Sequence, residues 1–288
     1  MTSETQKTPD WFWRAIETEP EKNAIEVREA KINFSSWSRQ GPGLLFVHGH
    51  NAHAGWWDFI APFFKDQYRV VANDLSGMGD SDHRDSYDCD TYIEELIRVV
   101  EFNELGKDTI IVAHSFGGII AVKAFAAFPD RFKGLVLLDS GVKHPDDQKS
   151  FEPPRSGRQK IYPNAEIAAS RFRLQPPQQC ENQYILDHIA RNSVEYVDGG
   201  FTWKFDDEHL ERMKSIDNLE EDFRGIKTKC SLIYGEKSQS FSEKSAGHMK
   251  DLLPHLEVIK LEGAQHHLFL DQPISFVEKL KDQLSAWR

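Results

Sequence analysis

The sequence contains little cysteine and no long apolar run. Its three cysteines, Cys89, Cys180 and Cys230, lie far apart and form no C-x-x-C pair, so we expect reduced thiols rather than a disulfide framework. No apolar stretch approaches the roughly 20 residues that a membrane helix needs. Residues 1–10 have neither the basic nor the apolar region of a secretory signal. These absences predict a cytoplasmic protein with no membrane partner.

Positive charge is also scarce. Lys and Arg number 35 against 46 Asp and Glu, which gives a formal net charge of -11. This balance disfavours nucleic acids and anionic membranes as partners, because both are bound by clustered Lys and Arg. The chain has no G-x-G-x-x-G and no GK[ST] loop, and we expect no organic cofactor. Seven Trp and nineteen Phe favour a small, largely apolar substrate; the sequence does not distinguish a monomer from a homodimer.

Apolar runs spaced along the chain predict an α/β protein. At 288 residues the chain is long enough for one large domain around a single sheet, with room for an inserted subdomain. Residues 24–37 alternate between apolar and polar and predict two antiparallel edge strands, whereas residues 52–65 predict a helix. Continuous apolar runs, typical of strands covered by helices on both faces, occupy residues 44–47, 68–72, 132–139 and 229–234.

The segment TIIVAHSFGG, residues 109–118, predicts a strand, a sharp turn and then a helix. Such a turn places Ser115 at a strained corner above the carboxyl edge of a parallel sheet, with the positive end of a helix beneath it. Small residues flank the turn at Ala113 and Gly117, because strand and helix crowd each other there. Ser115 is therefore a candidate nucleophile; the alternative is a serine in an ordinary strand-to-helix turn.

Three other segments occur in a fixed order around this turn. An HGHN loop, 48–51, follows an apolar run; a D-x-x-G-x-G-x-S turn covers 74–81; and GAQHH covers 263–267. Together with the Ser115 turn they resemble the α/β-hydrolase fold family, and in particular its serine-nucleophile, esterase-like members with a cap. The resemblance implies a mostly parallel eight-stranded sheet with helices on both faces and an inserted, mainly helical cap.

The HGHN loop is a candidate oxyanion hole. In the family that the sequence resembles, a loop at this place supplies one backbone N–H and the residue after the nucleophile supplies another. The resemblance therefore implies that the N–H groups of His50 and Phe116 bind the oxyanion. A rival interpretation takes His48, His50 and His53 as metal ligands. No matching Asp, Glu or Cys cluster accompanies them, and we expect no metal site.

A serine nucleophile needs a base and a carboxylate to orient that base. His266, in GAQHHLFLDQP, matches the histidine segment of the family, and His267 is its nearest rival. Most family members carry the acid three residues beyond a glycine that follows the seventh strand, and that position is Ser238. Asp139, at the end of the sixth strand, and Glu236 remain as candidates. We favour Asp139 and keep Glu236 as the alternative.

Prolines, dense charge and short helical patches set residues 142–223 apart. We expect an α/β-hydrolase core formed by 1–141 and 224–288, with 142–223 as a cap inserted after the sixth strand. Aromatic and apolar cap residues that could line a substrate pocket are Phe172, Leu174 and Trp203. The alternative is that they only hold the cap together.

These residues predict a serine hydrolase of carboxylic esters that works through an acyl-enzyme. The same parts would serve a thioesterase, a lactonase, a C–C bond hydrolase or a cofactor-free lyase. Serine at the elbow disfavours haloalkane dehalogenase and epoxide hydrolase chemistry, which in this family requires a carboxylate nucleophile. A rival from another class is a ligand-binding or signalling protein on the same fold, supported by the missing acid at Ser238.

Overall fold

A mixed sheet of eight strands forms the centre of the computed structural model, which describes residues 8–147 and 160–288. The strand order along the sheet is β1-β2-β4-β3-β5-β6-β9-β10. Strand β2 is antiparallel to both of its neighbours, and all other neighbours are parallel. The strands are β1 Glu21–Val27, β2 Ala30–Ser36, β3 Gly43–Val47, β4 Arg69–Asn73, β5 Ile110–His114, β6 Gly134–Leu138, β7 Val194–Val197, β8 Gly200–Trp203, β9 Lys229–Gly235 and β10 Glu257–Leu261.

Both faces of the sheet are buried, because alternate side chains of each central strand enter separate hydrophobic clusters. In β5, Ile111 and Ala113 join one cluster, whereas Ile110 and Val112 join the other. A strand that is covered twice has no polar face, which is why it reads as a continuous apolar run. The predicted fold class is confirmed.

Helices cover the two faces and the carboxyl edge of the sheet. Helices α2, α3 and α8 contribute to the cluster that contains Ile111 and Ala113. Helices α1 and α10 contribute to the cluster that contains Ile110 and Val112. None of the helices within 8–147 and 160–288 has the length and apolar character needed to cross a membrane. The helices are α1 Asp10–Ile16, α2 Cys89–Phe102, α3 Phe116–Ala127, α4 Ala165–Ser170, α5 Gln183–Asn192, α6 His209–Arg212, α7 Leu219–Arg224, α8 Glu243–Leu252, α9 Leu268–Asp271 and α10 Pro273–Ala286.

The helix predicted for residues 52–65 is wrong. The segment forms two short 3-10 helices, Ala54–Trp57 and Ala61–Phe64. Pro62 lies in the first turn of the second one. A proline there has no N–H to donate and its ring would clash with the preceding turn, so one continuous α-helix cannot run through it.

The insertion between β6 and β9 contains α4 to α7 and an antiparallel hairpin of β7 and β8. The sequence analysis did not predict this hairpin. Residues 148–159 of the expected cap lie outside the described residues, as do residues 1–7. We propose that the described remainder of 142–223 acts as the cap, because it carries side chains over the carboxyl edge of the sheet, where the candidate site lies.

Candidate active site

Ser115 occupies a strained turn between β5 and α3. Its φ is 50° and its ψ is -117°, a combination that costs an L-residue on the order of 1–3 kcal/mol and needs support from its surroundings. That support comes from two hydrogen bonds. The Ser115 N–H donates to the carbonyl of Leu138 at 3.1 Å, and the Ser140 hydroxyl donates to the carbonyl of Ser115 at 2.5 Å. The turn therefore holds the Ser115 side chain at the carboxyl edge of the sheet.

The glycine after this turn allows α3 to approach the HGHN loop. A Cβ atom on Gly117 would lie 2.3 Å from the carbonyl oxygen of His48, a distance that real Cβ atoms do not reach. This explains why a small residue is needed at position 117. It also fixes the loop after β3 directly beside the turn that carries Ser115.

His266 connects Ser115 to a carboxylate. Its Nε2 lies 3.1 Å from Ser115 Oγ, and its Nδ1 lies 2.7 Å from Asp139 Oδ2. A carboxylate oxygen can only accept, so Nδ1 carries the proton, and in the neutral ring Nε2 is left to accept from the Ser115 hydroxyl. The His266 and Asp139 side chains are both buried. The structure thus brings together the three residues that the sequence suggested for nucleophile, base and acid.

The Asp139 carboxylate is fully hydrogen bonded. Its Oδ1 accepts from the N–H of Gly235 at 2.9 Å, and its Oδ2 also accepts from the Ser238 hydroxyl at 2.7 Å. These donors compensate for burying a charge, which would otherwise be costly. Ser238, the position where the resemblance would have placed an acid, therefore hydrogen bonds to Asp139 instead. Glu236 is exposed instead, and its Oε2 accepts from the N–H of Gly263 at 2.8 Å.

The two predicted oxyanion donors lie beside Ser115. Phe116 is the first residue of α3, and the first N–H groups of a helix have no partner within it. His50 follows Gly49, where an added Cβ would lie 3.1 Å from the Cβ of Ser115. The rings of His50 and Phe116 are 6.1 Å apart. The predicted role of their N–H groups remains a proposal, and it is consistent with these positions.

The side chain of His50 enters a chain of hydrogen bonds that the sequence did not reveal. Its Nε2 lies 3.1 Å from Nδ1 of His209 in the cap, and His209 Nε2 lies 2.6 Å from the Tyr92 hydroxyl. The Tyr92 hydroxyl donates in turn to the carbonyl of Ser76 at 3.1 Å. Burial lowers the pKa of His50 to about 4 and that of His209 to about 3. Both imidazoles are therefore neutral at pH 7, and they connect the insertion between β6 and β9 to the HGHN loop without a charge.

This neutral pair predicts an acid-sensitive fold. A histidine whose folded pKa lies below its unfolded value contributes stability that is complete above about pH 6.5 and is lost as the pH falls toward the folded pKa. We expect the melting temperature to fall between pH 6.5 and 4, and to fall less steeply in His209→Gln, which has one fewer buried imidazole to protonate. Differential scanning calorimetry across this range measures both slopes. An unchanged slope in His209→Gln, with His255→Gln as the exposed-histidine control, would contradict the prediction that protonation of His209 destabilises the folded protein in acid.

A cavity of about 240 Å³ lies next to the oxyanion loop. Of the predicted substrate-binding residues, Phe172 and Trp203 line it, with their rings 6.1 Å apart. Leu174 does not line it and belongs instead to the hydrophobic cluster on one face of the sheet. Arg171 and Arg173 also line the cavity; the sequence gave no reason to single them out, because exposed charge is the default on any surface.

The three histidines proposed as alternative metal ligands do not converge. His48 Nε2 accepts from the N–H of Leu75 at 3.0 Å, His50 bonds His209, and His53 Nε2 lies 2.8 Å from the Ser193 hydroxyl. Elsewhere, the ring nitrogens of His114, His266 and His267 lie within 4.8 Å of one another. His266 already uses both nitrogens on Ser115 and Asp139, so a metal ion bound there would have to displace one of them.

Comparison with known proteins places the chain in a family. A family model described as the α/β hydrolase fold matches residues 42–273. This match spans well over half of the chain, and the protein therefore belongs to the α/β-hydrolase fold family.

Individual relatives are distant. The human serine hydrolase-like protein is 34% identical over 120 residues, which cover 40% of this chain and 59% of that protein, so the match spans less than two thirds of the relative. The 2-(acetamidomethylene)succinate hydrolase of Mesorhizobium japonicum is 25% identical over 258 residues, covering 79% of this chain and 82% of that one. The crystal structure of E-2-(acetamidomethylene)succinate hydrolase superposes with a TM-score of 0.78 at 19% identity, covering 92% and 99% of the two chains. At this identity the superposition shows the fold alone.

Proposed function

We propose that the protein is a serine hydrolase of carboxylic esters that works through an acyl-enzyme. The observation that carries the proposal is the continuous contact from Ser115 Oγ to His266 and from His266 to Asp139. Membership of a family of hydrolase folds raises the expectation of hydrolysis, but the fold hosts other reactions, so the chemistry rests on these three side chains.

The geometry supports a two-step reaction. His266 Nε2 takes the hydroxyl proton as Ser115 Oγ attacks the ester carbonyl carbon, and the N–H groups of His50 and Phe116 bind the oxyanion that forms. When the tetrahedral intermediate collapses, the C–O bond to the alcohol breaks and His266 returns the proton to the departing oxygen. Water then attacks the acyl-serine by the same route and releases the acid. Asp139 stabilises the imidazolium throughout.

The nature of the nucleophile limits the alternatives. Epoxide hydrolysis in this family uses a carboxylate nucleophile, which would require Asp at position 115. The chain has Ser115 there. Thioesters, lactones and C–C bonds next to a carbonyl remain open to the same serine, because all present a carbonyl carbon for attack. A protein that only binds its ligand would have the same fold but no turnover. The assay with a covalent probe and esters distinguishes such a protein from an enzyme.

The test is to incubate the protein with a fluorophosphonate probe and with p-nitrophenyl esters of graded acyl length. We expect stoichiometric labelling, a burst of p-nitrophenol equal to the enzyme concentration, and steady turnover afterwards. A folded protein that neither labels nor turns over any ester would overturn the esterase proposal. Labelling with turnover only of thioesters or lactones would keep the serine mechanism and change the substrate.

A further inference from the structure

The cavity beside the HGHN loop carries positive charge, although the chain as a whole is acidic. Two guanidinium groups, of Arg171 and Arg173, line the same cavity as His50 and Trp203. Both arginines are exposed at its mouth. The chain as a whole has a net charge of -11, whereas no Asp or Glu is among the cavity-lining residues in the described part of the chain.

Within residues 8–147 and 160–288, no carboxylate forms an ion pair with either of these two guanidinium groups. Arg173 Nη1 donates to the backbone carbonyls of Ser170 at 3.2 Å and Phe172 at 2.6 Å, which fixes the side chain but leaves its charge. Arg171 makes no ion pair with any residue that the structure describes. The third cation of the lining, Lys204, differs, because its Nζ lies 2.6 Å from Asp80 Oδ1.

Trp56, another residue of the cavity lining, has a buried donor with no partner in the described part of the chain. Trp56 lines the cavity and is 4% exposed, and within 8–147 and 160–288 its indole Nε1 has no hydrogen-bond acceptor. A buried donor left unpaired in this way is costly and is usually satisfied by water or ligand. The Trp56 ring lies 5.4 Å from that of His267, which is 4.9 Å from that of His266. The ring of His267 therefore lies between Trp56 and His266.

We propose that the cavity is a subsite for a carboxylate on the substrate, so that the ester hydrolysed at Ser115 carries an anionic group a few carbons away. Arg171 and Arg173 bind the carboxylate at the mouth, and Phe172 and Trp203 pack against the carbon chain. A volume of about 240 Å³ lies below the range for drug-sized ligands, which fits a short dicarboxylic half-ester. This inference rests on the proposed esterase function, and it replaces the expectation of a largely apolar substrate.

The test compares two p-nitrophenyl esters that differ in whether the distal carboxyl group is charged or methylated, each rate being corrected for hydrolysis without enzyme. Mono-p-nitrophenyl glutarate carries a free carboxylate, and its methyl ester does not. We expect wild type to favour the charged ester by about tenfold or more in kcat/KM, since charge-assisted bonds to guanidinium are among the stronger ones. Arg171→Gln/Arg173→Gln should lose most of this preference, because its kcat/KM for the charged ester should fall much more than its kcat/KM for the neutral ester. Salt should weaken the preference, because the guanidinium groups are exposed.

The control is Arg191→Gln, which removes an exposed arginine of the same insertion, on α5, that does not line the cavity. It should retain the preference. An equal rate for both esters in wild type, or a preference that survives the double substitution, would overturn the subsite while leaving the esterase proposal intact.

A binding measurement separates the two proposals. Isothermal titration of Ser115→Ala with glutarate needs no turnover, and we expect binding that weakens about tenfold or more when Arg171 and Arg173 are also changed to Gln. If no ester is hydrolysed but glutarate binds in this way, the esterase proposal fails and the subsite stands. If esters are hydrolysed and glutarate does not bind, the subsite fails.

Discussion

Ser115→Ala is expected to reduce ester turnover by about 10⁵-fold or more, because the acyl-enzyme cannot form without the attacking hydroxyl. His266→Ala should cost about as much, since the hydroxyl 3.1 Å from its Nε2 would have no base. Ser115 and His266 act as one unit, so replacing either one already removes the contribution of both. The Ser115→Ala/His266→Ala variant should therefore be no slower than either single variant. Steady-state kinetics on p-nitrophenyl esters and fluorophosphonate labelling measure these losses.

The chain offers a matched control for Ser115. Ser193 is also buried and also lies next to an imidazole, with its hydroxyl 2.8 Å from His53 Nε2. That hydroxyl donates to the carbonyl of Ile189 at 2.8 Å, and the Nδ1 of His53 accepts from the N–H of Gly55, so no carboxylate orients the pair. Ser193→Ala should therefore keep labelling with the fluorophosphonate probe. Loss of labelling in Ser193→Ala but not in Ser115→Ala would show that Ser193, and not Ser115, is the nucleophile.

The central sheet was predictable because its parallel strands are apolar on both faces and appear in the sequence as continuous runs. The bounds shift by a residue or two; residues 44–47, for example, become Gly43–Val47. The hairpin of β7 and β8 was missed although Asp198-Gly199 between alternating residues is a recognised hairpin signal. The helix predicted over 52–65 does not form because Pro62 interrupts the apolar pattern that predicts it.

Contacts between side chains were predictable only where both residues lie in recognisable sequence motifs. Ser115 and His266 each stand in a segment of fixed spacing, whereas the choice of acid depends on how the turns after β6 and β9 meet in space. The contact between His50 and His209 joins residues 159 positions apart, on a loop and on an inserted segment, and no periodicity marks it. The charge of the cavity was equally hidden, because an arginine in a loop is ordinarily a solvated side chain.

The choice of acid gives the second large expected effect. Asp139→Asn should reduce kcat by about 10²- to 10⁴-fold, because an amide stabilises the imidazolium poorly and favours the wrong tautomer of His266. The asparagine oxygen can still accept from the N–H of Gly235, so we expect the variant to fold, which circular dichroism checks. Glu236→Gln should change kcat by less than about twofold, since Glu236 is exposed and bonds Gly263. The reverse ranking would make Glu236 the acid.

Ser238 allows a stricter form of this experiment. Its hydroxyl lies 2.7 Å from Asp139 Oδ2, the oxygen that is itself 2.7 Å from His266 Nδ1. Ser238 and His266 thus contact the same oxygen atom of Asp139, so a carboxylate introduced by Ser238→Asp would lie close to the imidazole of His266. In the Asp139→Asn background it should recover about tenfold or more of the lost kcat, whereas in wild type it should slow the enzyme, because two carboxylates would then share one buried site. Recovery would show that the oriented imidazole needs a carboxylate at this place and not a particular residue. If Asp139→Asn keeps full activity and Ser238→Asp adds nothing to it, Asp139 has no role in the reaction.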